Sequence, residues 1–307
     1  MTAALLFALY TGAAGWLAPL ALRGRWATRS PRLAISLWLV LAVSWVIAVI
    51  MAVLAAAAPF PLAWPAPGPV SGRVLAGPAV PGGQILAVAG MALAAAVVVR
   101  AGWCLARGMH SGRRVRRRHA ALVAATGRPG PERDVVIVDH DAPAVYCLTS
   151  GRDRIVVSAG ALAALTPEQI RVVLAHERAH LRWRHHAMLT LTAGLARAFP
   201  GVPLLAQAER QLGILAEMAA DDAAVRGCHA DDLAAALVIL AGAGPRPAVL
   251  TAGGPAAVVR LERLLTRPGR SHARAAALAA IAGLLPAAAV ACVPVIIAAC
   301  DLVTHPG

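Results

Sequence analysis

"LTPEQIRVVLAHERAHLRWRHH" (165–186) is the stretch that decides the fold, because it predicts one strong helix that carries a His-Glu-x-x-His motif. Thr166 is a good N-cap, Pro167 suits the first helical position, and Gln169 completes a capping box. Apolar residues then recur at the spacing of a buried helix face, namely Ile170, Val173, Leu174 and Leu181.

The motif has the residue types of a zinc site. His176 and His180 lie one turn apart on one helix face, so their imidazoles can bind one zinc ion. Glu177 lies about 100° around the helix from His176, close enough to such a metal to take a proton from water without binding the metal itself. Catalytic zinc also needs a third protein ligand and an open position. Arg178 departs from the uncharged residues that are usual inside this motif.

The third ligand has to come from the acids downstream, which are Glu209, Glu217, Asp221 and Asp222. Glu217 and Asp221 are one turn apart on a helix predicted for about 204–226. This spacing favours Glu217 as the ligand and Asp221 as the acceptor for the other N–H group of a ligand histidine. The alternative, a solvated amphipathic helix, leaves both acids unexplained.

The end of the motif helix holds two more histidines, His185 and His186. They could be metal ligands, oxyanion donors or solvated residues at an interface. Trp183 between Arg182 and Arg184 is typical of a segment that faces lipid headgroups, so we expect this end of the helix to face the membrane.

The composition of the 307-residue chain, 59% apolar, indicates several membrane spans rather than one large soluble core. The net charge of +14 comes from arginine alone, and no acidic residue precedes Glu132. The arginines cluster between apolar runs, as in the cytoplasmic loops of membrane proteins, so we expect no direct binding of nucleic acid. The five cysteines form no CxxC pair, and no thiolate metal site or disulfide framework is predicted.

Four apolar runs are long enough to span a bilayer, and they are 3–22, 33–58, 84–106 and 275–300. The third has Arg100 near its basic end, where the side chain could snorkel. The arginine-rich segments 23–32 and 107–133 are predicted as cytoplasmic loops, and the segment 59–83, rich in proline and glycine, as an outer loop. Both termini are then outside.

The predicted domains are an N-terminal membrane domain, a cytoplasmic metallopeptidase domain and a C-terminal span with a short tail, at 1–107, 108–273 and 274–307. Within the cytoplasmic part, the β-branched runs 134–139 and 154–158 predict strands, and 144–150 predicts another. The turn signal SGRD (150–153) joins the last two into a hairpin. The apolar run 187–199 is too short for a span and predicts a buried or interfacial helix.

The segment "VYCLTSGRDRIVVSAGALAALTPEQIRVVLAHERAHLRWRHH", followed by "EMAADDAAVR", resembles the membrane metallopeptidases of the BlaR/MecR antibiotic-sensor type. It is similar, more distantly, to the HtpX and CAAX-prenyl endopeptidase group. The resemblance covers about 134–226 in sequence and the whole chain in layout. It implies a mainly α membrane protein with four transmembrane helices and a cytoplasmic α+β gluzincin-like domain between the third and the fourth. The antibiotic sensors continue into a penicillin-binding domain, which we do not expect after Gly307.

The resemblance also implies roles for the matching residues. His176, His180 and Glu217 would bind Zn²⁺, Glu177 would be the general base, and Asp221 would support the site. The hairpin at 144–158 would provide an edge strand to which a peptide adds. Glu177 would then activate water for attack on the scissile carbonyl and later protonate the leaving amine.

We therefore expect an integral-membrane zinc endopeptidase in the bacterial plasma membrane, with its catalytic domain on the cytoplasmic side. Its partners would be the lipid bilayer and a peptide or protein substrate, such as a BlaI-like transcriptional repressor or the chain itself. Membrane-protein quality control is an alternative use of the same chemistry. A non-catalytic zinc-binding membrane signalling protein is an alternative of another class, but it has no need for Glu177.

Overall fold

The computed structural model describes residues 2–57, 83–242 and 255–266. Within these ranges the chain is mostly helical. The helices are α1 (Thr2–Trp16), α2 (Ala18–Leu22), α3 (Arg25–Arg29), α4 (Pro31–Ala57), α5 (Gly83–Thr126), α6 (Ala159–Ala164), α7 (Pro167–Arg182), α8 (His185–Ala198), α9 (Pro203–Ala224), α10 (Ala230–Gly242) and α11 (Pro255–Thr266). The strands are β1 (Arg128–Pro129), β2 (Val135–Val138), β3 (Val145–Ser150) and β4 (Arg152–Ser158).

Three stretches of helix are long and apolar enough to cross a membrane, and they are Ala4–Leu22, Pro31–Ala57 and Ile85–Thr126. They correspond to the first three predicted spans, each of which was predicted one residue further at one end. The first stretch is interrupted at Leu17, between α1 and α2, because Pro19 has no N–H group with which to continue the hydrogen bonding of α1. The predicted fourth span, 275–300, lies outside the described residues, and so does the predicted outer loop 59–83 except for Gly83.

The third of these helices is much longer than a span. The segment 107–133 was predicted as a loop, and this is wrong as far as Thr126, because α5 continues through it as one helix of 44 residues. At 1.5 Å per residue the helix is roughly 66 Å long, about twice the thickness of the hydrocarbon core. Arginine is a good helix former, and the sequence has no proline between Gly83 and Thr126 that would end the helix.

A four-stranded sheet has the order β1-β2-β4-β3. β2 is parallel to β4, and β3 and β4 form the predicted antiparallel hairpin, which turns at Gly151 with a positive φ of 78°. The three strands predicted from β-branched residues are confirmed. β3 forms one edge of the sheet among the described residues, so one side of its backbone pairs with no other strand there.

The predicted zinc-binding helix α7 packs on the sheet in one hydrophobic core. Ile155 and Val157 of β4 are buried there against Val172 of α7 and Leu233 of α10. A second core joins the candidate spans to the helices that follow α7, because Trp38 of α4 is buried together with residues of α8 and α9, which are Leu195, Leu204, Leu205, Ala208, Leu212 and Leu215.

The apolar run 187–199 therefore forms a packed helix. α8 lies so close to α5 that a Cβ on Gly194 would come within 2.5 Å of Leu105 Cδ2. Arg100 of α5 does not simply snorkel, since its Nε donates a hydrogen bond of 2.6 Å to the Ala198 carbonyl at the end of α8. The tip between α8 and α9 reaches Trp45 of α4, whose ring meets Phe199 edge-on at 5.4 Å. The helix pair α8–α9 is thus held by the same helices that are long enough to span a membrane.

Candidate metal centre

Helix α7 begins as the sequence predicts and ends earlier. Gln169 N–H donates to Thr166 Oγ1 at 3.3 Å, and Thr166 N–H donates back to Gln169 Oε1 at 3.0 Å, which is the predicted capping box. The helix ends at Arg182, however, and Arg184 has a left-handed backbone with φ of 50°. The chain therefore turns before His185, where α8 begins.

Three predicted ligands come together at one point. Each of His176, His180 and Glu217 offers a ligand atom, and these atoms lie within 4.8 Å of one another. The Nε2 atoms of the two histidines are 3.0 Å apart. Glu217 of α9 approaches the same two atoms, with Oε2 at 3.6 Å from His176 and Oε1 at 3.5 Å from His180. Two imidazole nitrogens and one carboxylate oxygen are a donor set that zinc takes in catalytic sites.

The other acids on α9 have different positions. Asp221 is fully buried, with Oδ1 at 3.0 Å from Nδ1 of His176, so it contacts the side of the ring that faces away from the ligand cluster. Asp222 instead pairs with Arg263 of α11, at 2.7 Å from each carboxylate oxygen. Glu209 is exposed. Glu217 and Asp221 therefore lie beside the motif histidines, whereas Asp222 and Glu209 do not.

Glu177 is buried between α7 and the edge strand β3. Its Oε2 accepts a hydrogen bond of 2.9 Å from the backbone N–H of Cys147. Burial raises the pKa of Glu177 above its ordinary value, and the nearby Glu217 raises it further, against the opposing effect of His176. A carboxylate with a raised pKa is a stronger base, which suits a residue that accepts a proton from water.

The carboxylates beside His176 stabilise positive charge on this ring. Burial opposes protonation of His176, but its contacts with Asp221 and Glu217 outweigh burial and raise its pKa to about 10. Burial and the adjacent His176 lower the pKa of His180 to about 3. The pKa of Glu217 lies below its ordinary value although burial acts to raise it, because His176 and Arg260 lie beside the carboxylate. The carboxylates that stabilise a proton on His176 would also stabilise a divalent cation at Nε2, so the residues present fit zinc.

His185 is buried beside the ligand cluster, so the interpretation of this histidine as a solvated residue at an interface is wrong. Only 4% of its surface is exposed, and its Nδ1 lies 2.8 Å from Nδ1 of His180. Trp183 is half-buried, with the guanidinium of Arg32 stacked 3.7 Å from its ring centroid. His186 is half-buried elsewhere, with Nδ1 at 3.4 Å from Nη1 of Arg116 on α5. The two adjacent histidines therefore have different surroundings.

Arg260 of α11 is a site residue that the sequence did not reveal. Its guanidinium is buried, with Nη1 at 2.8 Å from Oε2 of Glu217. Its Nε and Nη2 donate to the two oxygens of Asp221, each at 2.7 Å. Arg260 lies 39 positions after Asp221 and belongs to no motif. The available signal in the sequence was a pair of arginines, Arg260 and Arg263, one turn apart on α11. Each of them pairs with one of the two adjacent acids, Asp221 and Asp222.

Arg178, the charged residue inside the motif, points to other partners. Its Nε lies 2.9 Å from Oδ2 of Asp134 and its Nη2 lies 3.1 Å from Oδ1, and it also pairs with Glu132. The hydrogen bond from Arg178 holds the pKa of Asp134 below its ordinary value. The departure from an uncharged residue is therefore explained by an ion pair that joins α7 to the segment leading into β2.

Comparison with known proteins supports the class of enzyme. Residues 110–209 match the model of peptidase family M48, a family of zinc-dependent metallopeptidases. The match includes the second half of α5, the sheet and α7 with His176, Glu177 and His180, and it ends before Glu217 and Asp221. No solved structure matches the chain.

The family match and the apolar helices together indicate a metallopeptidase with candidate membrane spans. The matched segment covers about a third of the chain, so the match bears on the class of chemistry and not on a particular substrate.

Proposed function

We propose that this protein is an integral-membrane zinc endopeptidase in which His176, His180 and Glu217 bind the metal and Glu177 is the general base. The observation that carries the proposal is the convergence of the three ligand atoms within 4.8 Å, with Glu177 next to His176 on the same helix. A purely structural zinc site is closed by four protein ligands and does not need the buried carboxylate of Glu177.

The residues of the chain divide the chemistry between them. Bound zinc would supply a Lewis acid that polarises the scissile carbonyl and lowers the pKa of water. Glu177 takes the proton from the attacking water and later delivers it to the leaving amine. Asp221 orients His176 through Nδ1, so that Nε2 carries the lone pair toward the metal. Arg260 holds the carboxylates of Glu217 and Asp221 in place.

The open edge of β3 is suited to an extended peptide. The N–H of Cys147 points to Glu177 and therefore away from β4, whereas Ala144 exchanges hydrogen bonds with Ser158 at the end of β4. Alternation along a strand then puts the backbone N–H and C=O groups of Val145 and Thr149 on the open side as well. A substrate that adds to this edge would take over the N–H of Cys147 from Glu177, and its backbone would then lie beside Glu177 and the ligand cluster.

We further propose regulatory proteolysis as the biological role, with a BlaI-like repressor or the chain itself as the substrate. This rests on the resemblance to the antibiotic-sensor type in sequence and layout. Membrane-protein quality control is the second candidate, and it is favoured by the packing of α8 and α9 directly on α4, which places the site next to candidate membrane helices.

Removal of the metal tests the proposed function. Protein purified in detergent is expected to contain about one zinc ion per chain and to cleave itself or an unfolded test protein. Incubation with a chelator should stop cleavage, and added zinc should restore it. The control is a chelator already saturated with zinc. Cleavage that continues after the zinc content has fallen to zero would show that the metal is not required, and a protein that never binds zinc would refute the site itself.

We propose that the long helix α5 enters the cytoplasm, because the arginines of its second half follow an apolar span directly. A reporter enzyme that is active only outside the cell should be inactive when it is fused after residue 120 and active when it is fused within 59–83. Comparable fusion protein levels on a blot serve as the control. Activity at residue 120 would reverse the proposed orientation of the catalytic site.

A further inference from the structure

The two nitrogens of His180 face different partners. Its Nε2 faces the ligand cluster, at 3.0 Å from Nε2 of His176 and 3.5 Å from Glu217 Oε1. Its Nδ1 lies 2.8 Å from Nδ1 of His185, which is within hydrogen-bond distance. The rings of His180 and His185 meet edge-on, with centroids 4.8 Å apart. His180 therefore contacts the ligand cluster on one side and a buried imidazole on the other.

Metal binding would determine where the protons of this pair lie. A histidine that binds a metal through Nε2 must carry its remaining proton on Nδ1. The Nδ1–H of His180 then donates to Nδ1 of His185, which has to be the unprotonated nitrogen of a neutral ring. The proton of His185 is consequently on its own Nε2. The arrangement repeats what Asp221 does for His176, but with a neutral acceptor in place of a carboxylate.

The local backbone brings His185 to this position. Five residues along one continuous helix would carry a side chain well past the face of His180. Here α7 ends at Arg182, and the left-handed conformation of Arg184 turns the chain so that α8 begins with His185 pointing back. Trp183, covered by Arg32, lies beside His185 with ring centroids 5.5 Å apart. Non-glycine residues rarely adopt positive φ, so the turn is a specific feature of this site.

We infer that His185 is a positioning residue that fixes His180 in the tautomer and orientation needed to bind the metal through Nε2. The inference rests on the proposed zinc site. It concerns His180, whose Nδ1 faces His185, whereas Nδ1 of His176 faces the carboxylate of Asp221. The neutral imidazole gives that support without adding a fourth buried negative charge to Glu177, Glu217 and Asp221.

The test compares three variants for metal affinity. His185→Leu removes the acceptor, whereas His185→Asn keeps an acceptor oxygen close to the position of Nδ1. His186→Leu is the matched control, because this neighbouring histidine contacts Arg116. The dissociation constant for zinc is measured by competition with a chromogenic chelator, and the site is also observed through the visible absorption of bound Co²⁺. His185→Leu should weaken zinc binding about 10- to 100-fold and change the Co²⁺ spectrum.

The expected results for the other two variants are affinities within a few-fold of wild type and unchanged Co²⁺ spectra. Equal affinity and an equal spectrum for His185→Leu would overturn the inference, and so would a loss in His185→Asn as large as in His185→Leu. If His185→Leu does not fold, His185→Phe takes its place, since it keeps a ring beside Trp183 without a nitrogen. Wild-type protein that binds no zinc would instead refute the proposed function, which separates the two failures.

Discussion

Glu177→Gln is expected to leave zinc bound and to slow peptide cleavage by about 10²- to 10⁴-fold. Glutamine has the shape of glutamate, and its carbonyl oxygen can still accept the hydrogen bond from the N–H of Cys147. The metal ligands His176, His180 and Glu217 are unchanged, so the affinity for zinc should stay close to that of wild type. A neutral amide cannot take a proton from water, however, and the general base is lost.

The measurement combines zinc content with the rate of cleavage of the same preparation. Glu168→Gln is a suitable control, because it is the same substitution in the first turn of the same helix α7, at an exposed position away from the cluster. It should change neither zinc content nor rate. A Glu177→Gln protein that keeps its zinc and cleaves at the wild-type rate would remove Glu177 from the reaction. The non-catalytic signalling protein would then be the better hypothesis.

Most of the candidate site could be predicted because its signals are local. The capping box at Thr166 and the one-turn spacing of His176 and His180 establish α7 from a few consecutive residues. Glu217 and Asp221 repeat this one-turn spacing on α9. The hairpin β3–β4 follows from β-branched runs around Gly151. Each of these predictions depends on residues that are close together in sequence and needs no knowledge of tertiary contacts.

The remaining features depend on contacts that the sequence does not encode locally. The position of His185 requires the left-handed turn at Arg184, and that conformation is rare for arginine. Arg260 enters the site from α11, a helix distant in sequence from Asp221. The arginines after residue 106 indicate a side of the membrane, but this rule does not state whether the segment is a loop or a helix, so the continuation of α5 was missed.

Arg260→Leu is expected to destabilise the metal-free protein by about 3–5 kcal/mol, because it removes one partner from a buried ion-pair network. Arg260 is 6% exposed, and its loss leaves the carboxylates of Asp221 and Glu217 buried without their guanidinium partner. For 307 residues, with an unfolding entropy of about 2.1 cal/mol/K per residue, that corresponds to a fall of roughly 5–8 °C in the midpoint of thermal unfolding. The midpoint is measured in detergent after treatment with a chelator.

The matched control is Arg263→Leu, three residues further along α11. Arg263 pairs with Asp222, whose side chain is 37% exposed, so water can solvate the remaining carboxylate. Arg263 also donates to the backbone carbonyl of Thr28 at 2.7 Å, so the loss of stability should be smaller than that of Arg260→Leu but measurable. Zinc should raise the midpoint of Arg260→Leu by more than it raises the midpoint of wild type, because the cation replaces positive charge beside Glu217. Equal losses in the two arginine variants would show that Arg260 acts by packing α11 onto α9. An Arg260→Leu protein that gains no more from zinc than wild type does would show that the guanidinium and the metal do not share the charge of Glu217.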